Sequence, residues 1–326
     1  MDMWIPYLQS PFHSALNPYV READERVIHW VRDLELATAE NWADGYRRAK
    51  FTWFAARCFP DADLPQLTLA AAFNVWLFLL DDSCDPIPPG QKYEYVRRVS
   101  TELSLVLAGY SPSDNPLAKA LADLWARLRA LAPADWQEYF LQGMLRYLDA
   151  CKLEAQWLDM ETWPSLTSYI RYRPYLGAVH LEPALSEVLC GHTLTPADRR
   201  DPRVERLTLL CCNIVCWSND LFSLEKEWRN GDKCNLALVL AHERQYGLQD
   251  AIREAASLHD EDVRHFARLA RETGAGPLTP ALAHYVRSLQ YIVAANMEWS
   301  IHDTARYRFT FENPQAPAAY SVSLPR

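Results

Sequence analysis

Only 10 glycines punctuate 326 residues, and that scarcity constrains the fold more than any other feature of the sequence. Glycine supplies the tight turns that sheets need, whereas Ala, Leu, Arg and Glu, which recur throughout, favour uninterrupted helix. The breakers gather in short clusters: Phe59-Pro60-Asp61, Asp85-Pro86-Ile87-Pro88-Pro89-Gly90, Ser111-Pro112, Thr195-Pro196, Asn230-Gly231 and Gly274-Ala275-Gly276-Pro277. Between them, apolar spacing predicts helices over roughly 17–36, 40–58, 64–85, 91–108, 115–131, 134–158, 165–190, 202–229, 235–245, 248–272 and 279–305. Asn17-Pro18 reads as the start of the first helix, with Asn at the cap and Pro in the first turn. No connection has the Pro/Ser-rich character of an interdomain linker, so residues 1–326 are read as one all-α domain. The tail 308–326, with three prolines, is expected to be irregular or lid-like.

Hydrophobic residues make up 49% of the chain, ample for a large core, and 12 tryptophans exceed what that core requires. The net charge is −9 and no cluster of four or more Lys/Arg occurs, which argues against a nucleic-acid partner. An anionic substrate would therefore need metal ions or a few placed cations. The longest apolar run, Leu67–Leu80, spans about 14 residues where a membrane span needs roughly 20, so none is expected. Met1–Ser10 lacks the basic and apolar regions of a signal peptide. The eight cysteines form no CxxC pair and read as core residues in a reducing, cytoplasmic setting.

Trp76-Leu77-Phe78-Leu79-Leu80-Asp81-Asp82-Ser83-Cys84-Asp85 is the most informative decapeptide. Asp81 and Asp85, four apart, share a helix face, with Phe78 directly beneath the carboxylates. Three acids at the C-terminal end of an apolar helix repel one another and oppose the helix dipole, so a cation should compensate. Hard oxygen ligands with room for water suit Mg2+. Taken alone, a solvated acidic helix end explains the segment equally well. A second segment, Asn219-Asp220-Leu221-Phe222-Ser223-Leu224-Glu225-Lys226-Glu227, sets Asn219, Ser223 and Glu227 at i, i+4 and i+8 on one face, again after an apolar helix. These are three hard oxygen donors, with Lys226 at the edge of the face and able to reach an anion.

With both segments in hand, the chain resembles the class I terpene synthases of the single-domain bacterial type, which pair a DDxxD motif with an NDxxSxxxE motif. Two further marks agree with the resemblance. Arg173 lies 46 residues before Asn219, where the family keeps a diphosphate-sensing Arg, and Arg306-Tyr307 follows as the family's late Arg-Tyr pair. The resemblance implies a helical bundle with the two motifs facing each other across the mouth of an apolar cavity. It implies three Mg2+ ions bridging Asp81, Asp85, Asn219, Ser223 and Glu227 to a substrate diphosphate, which Arg173, Lys226, Arg306 and Tyr307 would contact. Asp82, as the second residue of the first motif, is expected to take part in catalysis. After Arg173, Pro174 and Gly177 should break the helix. The family uses such a break to aim a carbonyl at the reacting carbon, which places Gly177 as the effector and Leu176 as its link to Arg173. Leu176 departs from the small or polar linker frequent in the family.

A carbocation calls for apolar, aromatic walls, because ring faces stabilise cations without trapping them. Phe54, Phe78 and Trp299 are candidates for one wall, with Cys212, Val215 and Cys216 opposite. The expected reaction is Mg2+-dependent ionisation and cyclisation of a linear isoprenoid diphosphate, with farnesyl (C15) first and geranylgeranyl (C20) second by family analogy. A homodimer is a further expectation from relatives. The rivals are a chain-elongating prenyl diphosphate synthase, which would carry a second aspartate-rich motif, and a non-catalytic helical protein binding a lipid or a partner.

Overall fold

The computed structural model describes residues 3–37, 42–275 and 278–312, and within them the chain is a bundle of helices. In order these are α1 (Val20–Asp33), α2 (Trp42–Ala49), α3 (Phe51–Cys58), α4 (Leu64–Asp82), α5 (Lys92–Leu107), α6 (Pro116–Leu131) and α7 (Ala134–Asp159). Then come α8 (Leu166–Leu176), α9 (Leu181–Leu189), α10 (Pro196–Arg199), α11 (Pro202–Asn230), α12 (Leu236–Arg244), α13 (Leu248–Gly274) and α14 (Pro280–Glu298), which runs into a π-helical turn, Trp299–Asp303. Two short strands, β1 (Trp4–Ile5) and β2 (Thr310–Phe311), pair in parallel, Trp4 opposite Thr310 and Ile5 opposite Phe311.

The two site-bearing helices start on strong local signals. At α4 the Asp63 carboxylate accepts from the Gln66 backbone N–H while the Gln66 side chain accepts from the Asp63 backbone, a reciprocal cap ahead of Pro65. At α11 the Asp201 side chain accepts from the Arg203 N–H and Pro202 occupies the first turn. Gly231, left-handed at φ +78°, ends α11 as an αL cap. α11 packs against α13, α14, α12 and α8, and α4 packs against α3, α1, α6 and α9, so both run through one continuous core. By length and composition α4 and α11 could each cross a membrane, which the 14-residue apolar run did not suggest, but most of each lies buried in the bundle.

The helices depart from the sequence expectation where the site lies. The segment 40–58 is two helices, because Lys50 adopts φ +51°; residues 40 and 41 lie outside the described residues. The segment 165–190 divides at Gly177–His180, and 279–305 gives up α-geometry at Trp299. α4 stops at Asp82, and turns carry the chain through Asp85, with Cys84 N–H donating to Asp81 C=O and Asp85 N–H to Asp82 C=O. Asn17 keeps a cap-like contact, its Oδ1 accepting from the Tyr19 N–H at 2.9 Å, but α1 begins only at Val20. Fully buried, Asn17 donates to Phe59 C=O and Ala62 C=O, both at 2.8 Å, and fastens the chain to the α3–α4 turn. Of the tail, residues 308–312 enter β2 and its flanks, and 313–326 lie outside the described residues, as do Gly276 and Pro277.

Candidate active site

The C-terminal half of α4, the break between α8 and α9, the middle of α11 and the end of α14 surround a cavity of about 270 Å³. Asp81 and Asp85 from the first motif and Asn219, Ser223, Lys226 and Glu227 from the second all line it, as do Arg173, Arg306 and Tyr307. The geometry thus brings the two motifs to one hollow, although Asp85 stands on a turn and not on the helix expected for it.

Asp81 sits at the rim with its side chain 67% exposed. Surrounding protein nevertheless raises its pKa, chiefly by desolvation, with Arg306 and Lys226 opposing and Asp82 and Asp85 adding to the rise. Asp82 does not line the cavity. It receives both arms of the Arg306 guanidinium, at 2.5 and 3.2 Å, a two-pronged pairing that fixes the cation at the mouth. The sequence expected Asp82 in catalysis; its side chain turns away from the cavity instead, because one residue along a helix from Asp81 is about 100° around it. Arg306 also lies over the Phe51 and Phe78 rings, 5.5 and 5.7 Å from their centroids.

On α11, Ser223 Oγ donates to Asn219 C=O at 2.7 Å, and Glu227 Oε2 accepts from Asn235 Nδ2 at 2.8 Å. Asn219 Oδ1 accepts from Arg173 Nη2 at 2.8 Å, and its amide nitrogen donates to Tyr307 Oη at 3.0 Å. Glu227 is pushed up to about 7, first by burial and then by Asp220, with Asn235 and Ser223 opposing. Each donor keeps a lone pair free for a hard cation, and divalent ions would offset the desolvation that raises the Asp81 and Glu227 carboxyls. Among the described residues no three His, Cys, Asp or Glu side chains enclose a metal by themselves. A cation here would complete its shell with water and the oxygens of a bound anion, as Mg2+ commonly does. The residues present fit that ion.

Asp220 lies wholly buried beneath this face. Its Oδ1 takes the Arg173 Nε–H at 2.8 Å, and its Oδ2 takes Tyr169 O–H at 2.7 Å and the Leu236 backbone N–H at 2.8 Å. This anchor holds Arg173 and escaped the sequence reading because i, i+4, i+8 counting passes over the residue beside Asn219. An acid inside the apolar run Leu221–Leu224 and Leu207–Trp217 was the available signal. Glu154 and Asp232, raised mainly by burial, also line the mouth and carried no motif.

Below the mouth the walls are apolar. Phe54, Phe78, Leu176, Val215, Cys216 and Trp299 line the cavity as expected. The Phe54, Phe78 and Trp299 rings meet at centroid distances of 5.5–6.5 Å. Trp299 spends its only polar group elsewhere: its indole N–H donates to Ala49 C=O and Lys50 C=O at the α2–α3 break. The ring it offers to the hollow is thereby purely apolar. Cys212 does not line the cavity; two turns before Asn219, it is buried in the core. Gly177 lines it and is required by close approach, since a Cβ there would stand 2.9 Å from Arg173 Nη1 and 3.1 Å from Cys216 Sγ. The break continues through Ala178 at φ +54°.

Residues 72–265 match the family model described as terpene synthase family 2, C-terminal metal binding. The chain is 32% identical over 311 residues to a (+)-T-muurolol synthase of Roseiflexus castenholzii that cyclises (2E,6E)-farnesyl diphosphate, covering 94% of each. It is 30% identical to a 4-epi-cubebol synthase of Streptosporangium roseum acting on the same diphosphate, covering 96% of this chain and 95% of the relative. Among solved structures, a point variant of cucumene synthase superimposes with a TM-score of 0.81 at 26% identity, covering 91% of this chain and 99% of that one. With the motif-bearing helices facing one aromatic hollow and these relatives spanning nearly the whole chain, the protein belongs to the terpene synthase family and is a terpene cyclase, a lyase of the class I helical fold.

Proposed function

We propose that the protein ionises farnesyl diphosphate and cyclises the resulting allylic cation to a sesquiterpene, with release of diphosphate and dependence on Mg2+. The observation that carries the reading is the meeting of two oxygen-bearing helix ends, Arg173, Arg306 and Tyr307 at the mouth of one apolar, aromatic-walled cavity. The C15 substrate is taken from relatives whose names specify it. Asp81, Asp85, Asn219, Ser223 and Glu227 would hold three Mg2+ ions, which when bound neutralise charge on the departing diphosphate.

Arg173, Lys226, Arg306 and Tyr307 bind the anion and orient the allylic carbon toward the hollow. Arg173 is tied to Asn219 and Asp220 before substrate arrives, so its position reports on the same helix that carries the second motif. The Gly177 break directs a backbone dipole at the developing positive charge. Phe54, Phe78 and Trp299 offer ring faces to the cation and exclude water that would quench it. All eight cysteines are free, which suits the reducing cytoplasm we assign to this single-domain enzyme.

The test is incubation of the purified protein with farnesyl diphosphate and Mg2+, measuring released diphosphate and volatile products by gas chromatography. Asn219→Ala and Glu227→Ala should each reduce turnover at least about 100-fold, an effect of the size expected when a positioned transition-state group is removed, with helicity unchanged. Retained turnover in either variant refutes the metal assignment. A longer diphosphate formed with added isopentenyl diphosphate would indicate elongation, and no diphosphate release from C10, C15 or C20 substrates would indicate a non-catalytic protein.

A further inference from the structure

The closed end of the cavity holds an ionisable group that the ionisation step does not use. Glu182, in the first turn of α9, lines the cavity and is 3% exposed. Its Oε2 accepts from Asn74 Nδ2 at 3.4 Å, and the same amide donates to Ala70 C=O at 3.1 Å. Asn74 lines the cavity seven residues before Asp81 on α4, so the pair lies about 10 Å along the helix axis below the rim acids. Among the described residues Glu182 forms no ion pair, and its Oε1 takes no hydrogen bond. The titratable groups that feel it are the buried thiols of Cys58 on α3 and Cys211 on α11.

Burial pushes the Glu182 carboxyl up to about 8, while the Asn74 amide opposes that rise. The start of α9 adds a second influence in favour of the anion. The group therefore enters the reaction protonated, but its anion is attainable. Protonation matters in a hollow built for carbocations. A neutral acid beside an olefin can donate a proton to it, and the carboxylate left behind can take a proton back from the next cation.

We infer that Glu182 is a catalytic acid and base of the cyclisation cavity, protonating a neutral cyclic olefin formed midway through the reaction and recovering the proton at its end. The inference rests on the proposed function and deepens it. The first cation closes a ring and loses a C–H proton to the released diphosphate at the mouth, leaving a neutral olefin. The π pair of that olefin takes the Glu182 proton: the O–H bond breaks, a C–H bond forms, and a second carbocation faces the Glu182 carboxylate. After further ring closure, a C–H bond beside the cation breaks. Its electron pair becomes the new double bond, and its proton restores the O–H of Glu182. No oxidant or reductant enters, and the acid ends as it began.

The experiment is a single turnover in D2O, with protein pre-equilibrated and in excess over farnesyl diphosphate, Mg2+ present, and the product examined by mass spectrometry. The wild-type product should carry one deuterium on carbon. Glu182→Gln should divert the product to an unlabelled olefin with one ring fewer, read as the ratio of that olefin to labelled product per diphosphate released. Where E182Q does not fold, as judged by circular dichroism, Glu182→Asp takes its place and must raise the ratio of that olefin to labelled product. Diphosphate released with no deuterium in the wild-type product overturns the inference, as does an unchanged labelled product from the variant. Absence of diphosphate release from the wild type would instead overturn the proposed function, so the two failures are distinguishable.

Discussion

Replacing Asp220 with Asn keeps the shape of the side chain and removes one oxygen and the charge. In the native protein the two carboxylate oxygens serve separate donors: Oδ1 faces the Arg173 guanidinium, and Oδ2 faces Tyr169 O–H and the Leu236 N–H. Either orientation of an Asn amide therefore turns an NH2 group towards an existing donor. The Arg173 Nη2 to Asp220 Oδ1 separation is 2.6 Å, and the Asp220 side chain is fully buried, so the variant leaves a guanidinium charge without its partner. Breaking a buried pair from one side costs about 3–5 kcal/mol. At roughly 2–4 °C per kcal/mol for a somewhat smaller domain, the melting temperature should fall on the order of 10 °C. Circular dichroism at 222 nm on the ligand-free protein, with urea melts for the free energies, measures this. Arg173→Met combined with Asp220→Leu removes both charges and should recover about 1–3 kcal/mol relative to the sum of the single effects. A loss below about 1 kcal/mol in D220N, or strict additivity in the double variant, would refute the argument that the pair is structurally committed.

Gly177→Ala should destabilise by about 1–3 kcal/mol, because the new methyl presses on Arg173 and Cys216. Since Arg173 is already tied down, the displacement should also lower kcat, which steady-state kinetics beside a urea melt will show. Arg306→Lys keeps the charge but loses the double grip on Asp82, so diphosphate release should fall roughly tenfold or more. Helicity should be preserved. A pH test addresses Glu182, whose pKa is higher in the folded chain than unfolded, so between the two values the folded state binds the extra proton. Its contribution is complete below about pH 4.5, declines with rising pH and is lost through about 8. Urea melts at pH 5.5 and 8.5 should show wild type losing a few kcal/mol relative to E182Q, at up to ~1.4 kcal/mol per unit. A constant difference would contradict the assignment.

The helices and the two motifs were legible because they are written in spacing. Asn219, Ser223 and Glu227 share a face for the reason counted from the sequence, whereas α8 continues through Pro174 to Leu176 and breaks only at the close-packed Gly177. What spacing could not convey was the far side of each helix. Asp82 belongs to the same motif as Asp81 but turns to Arg306, and Asp220 stands beside Asn219 but points into the core. Lys50 gave no sign of a left-handed backbone, because lysine has no preference for one and only the surrounding contacts hold it there. Cys212 satisfied helical periodicity and failed on depth, which depends on where the opposite wall closes.

The paired strands give the mouth an unusual mooring. Trp4 is held to α13 by Gln249, which receives its N–H and donates to its carbonyl, and Glu312 N–H donates to Ile5 C=O across the pairing. β2 begins only three residues after Tyr307. The segment carrying Arg306 and Tyr307 is consequently tethered by Trp4 and Ile5, far away in sequence, so substitutions that break this pairing would loosen the cavity mouth without touching it.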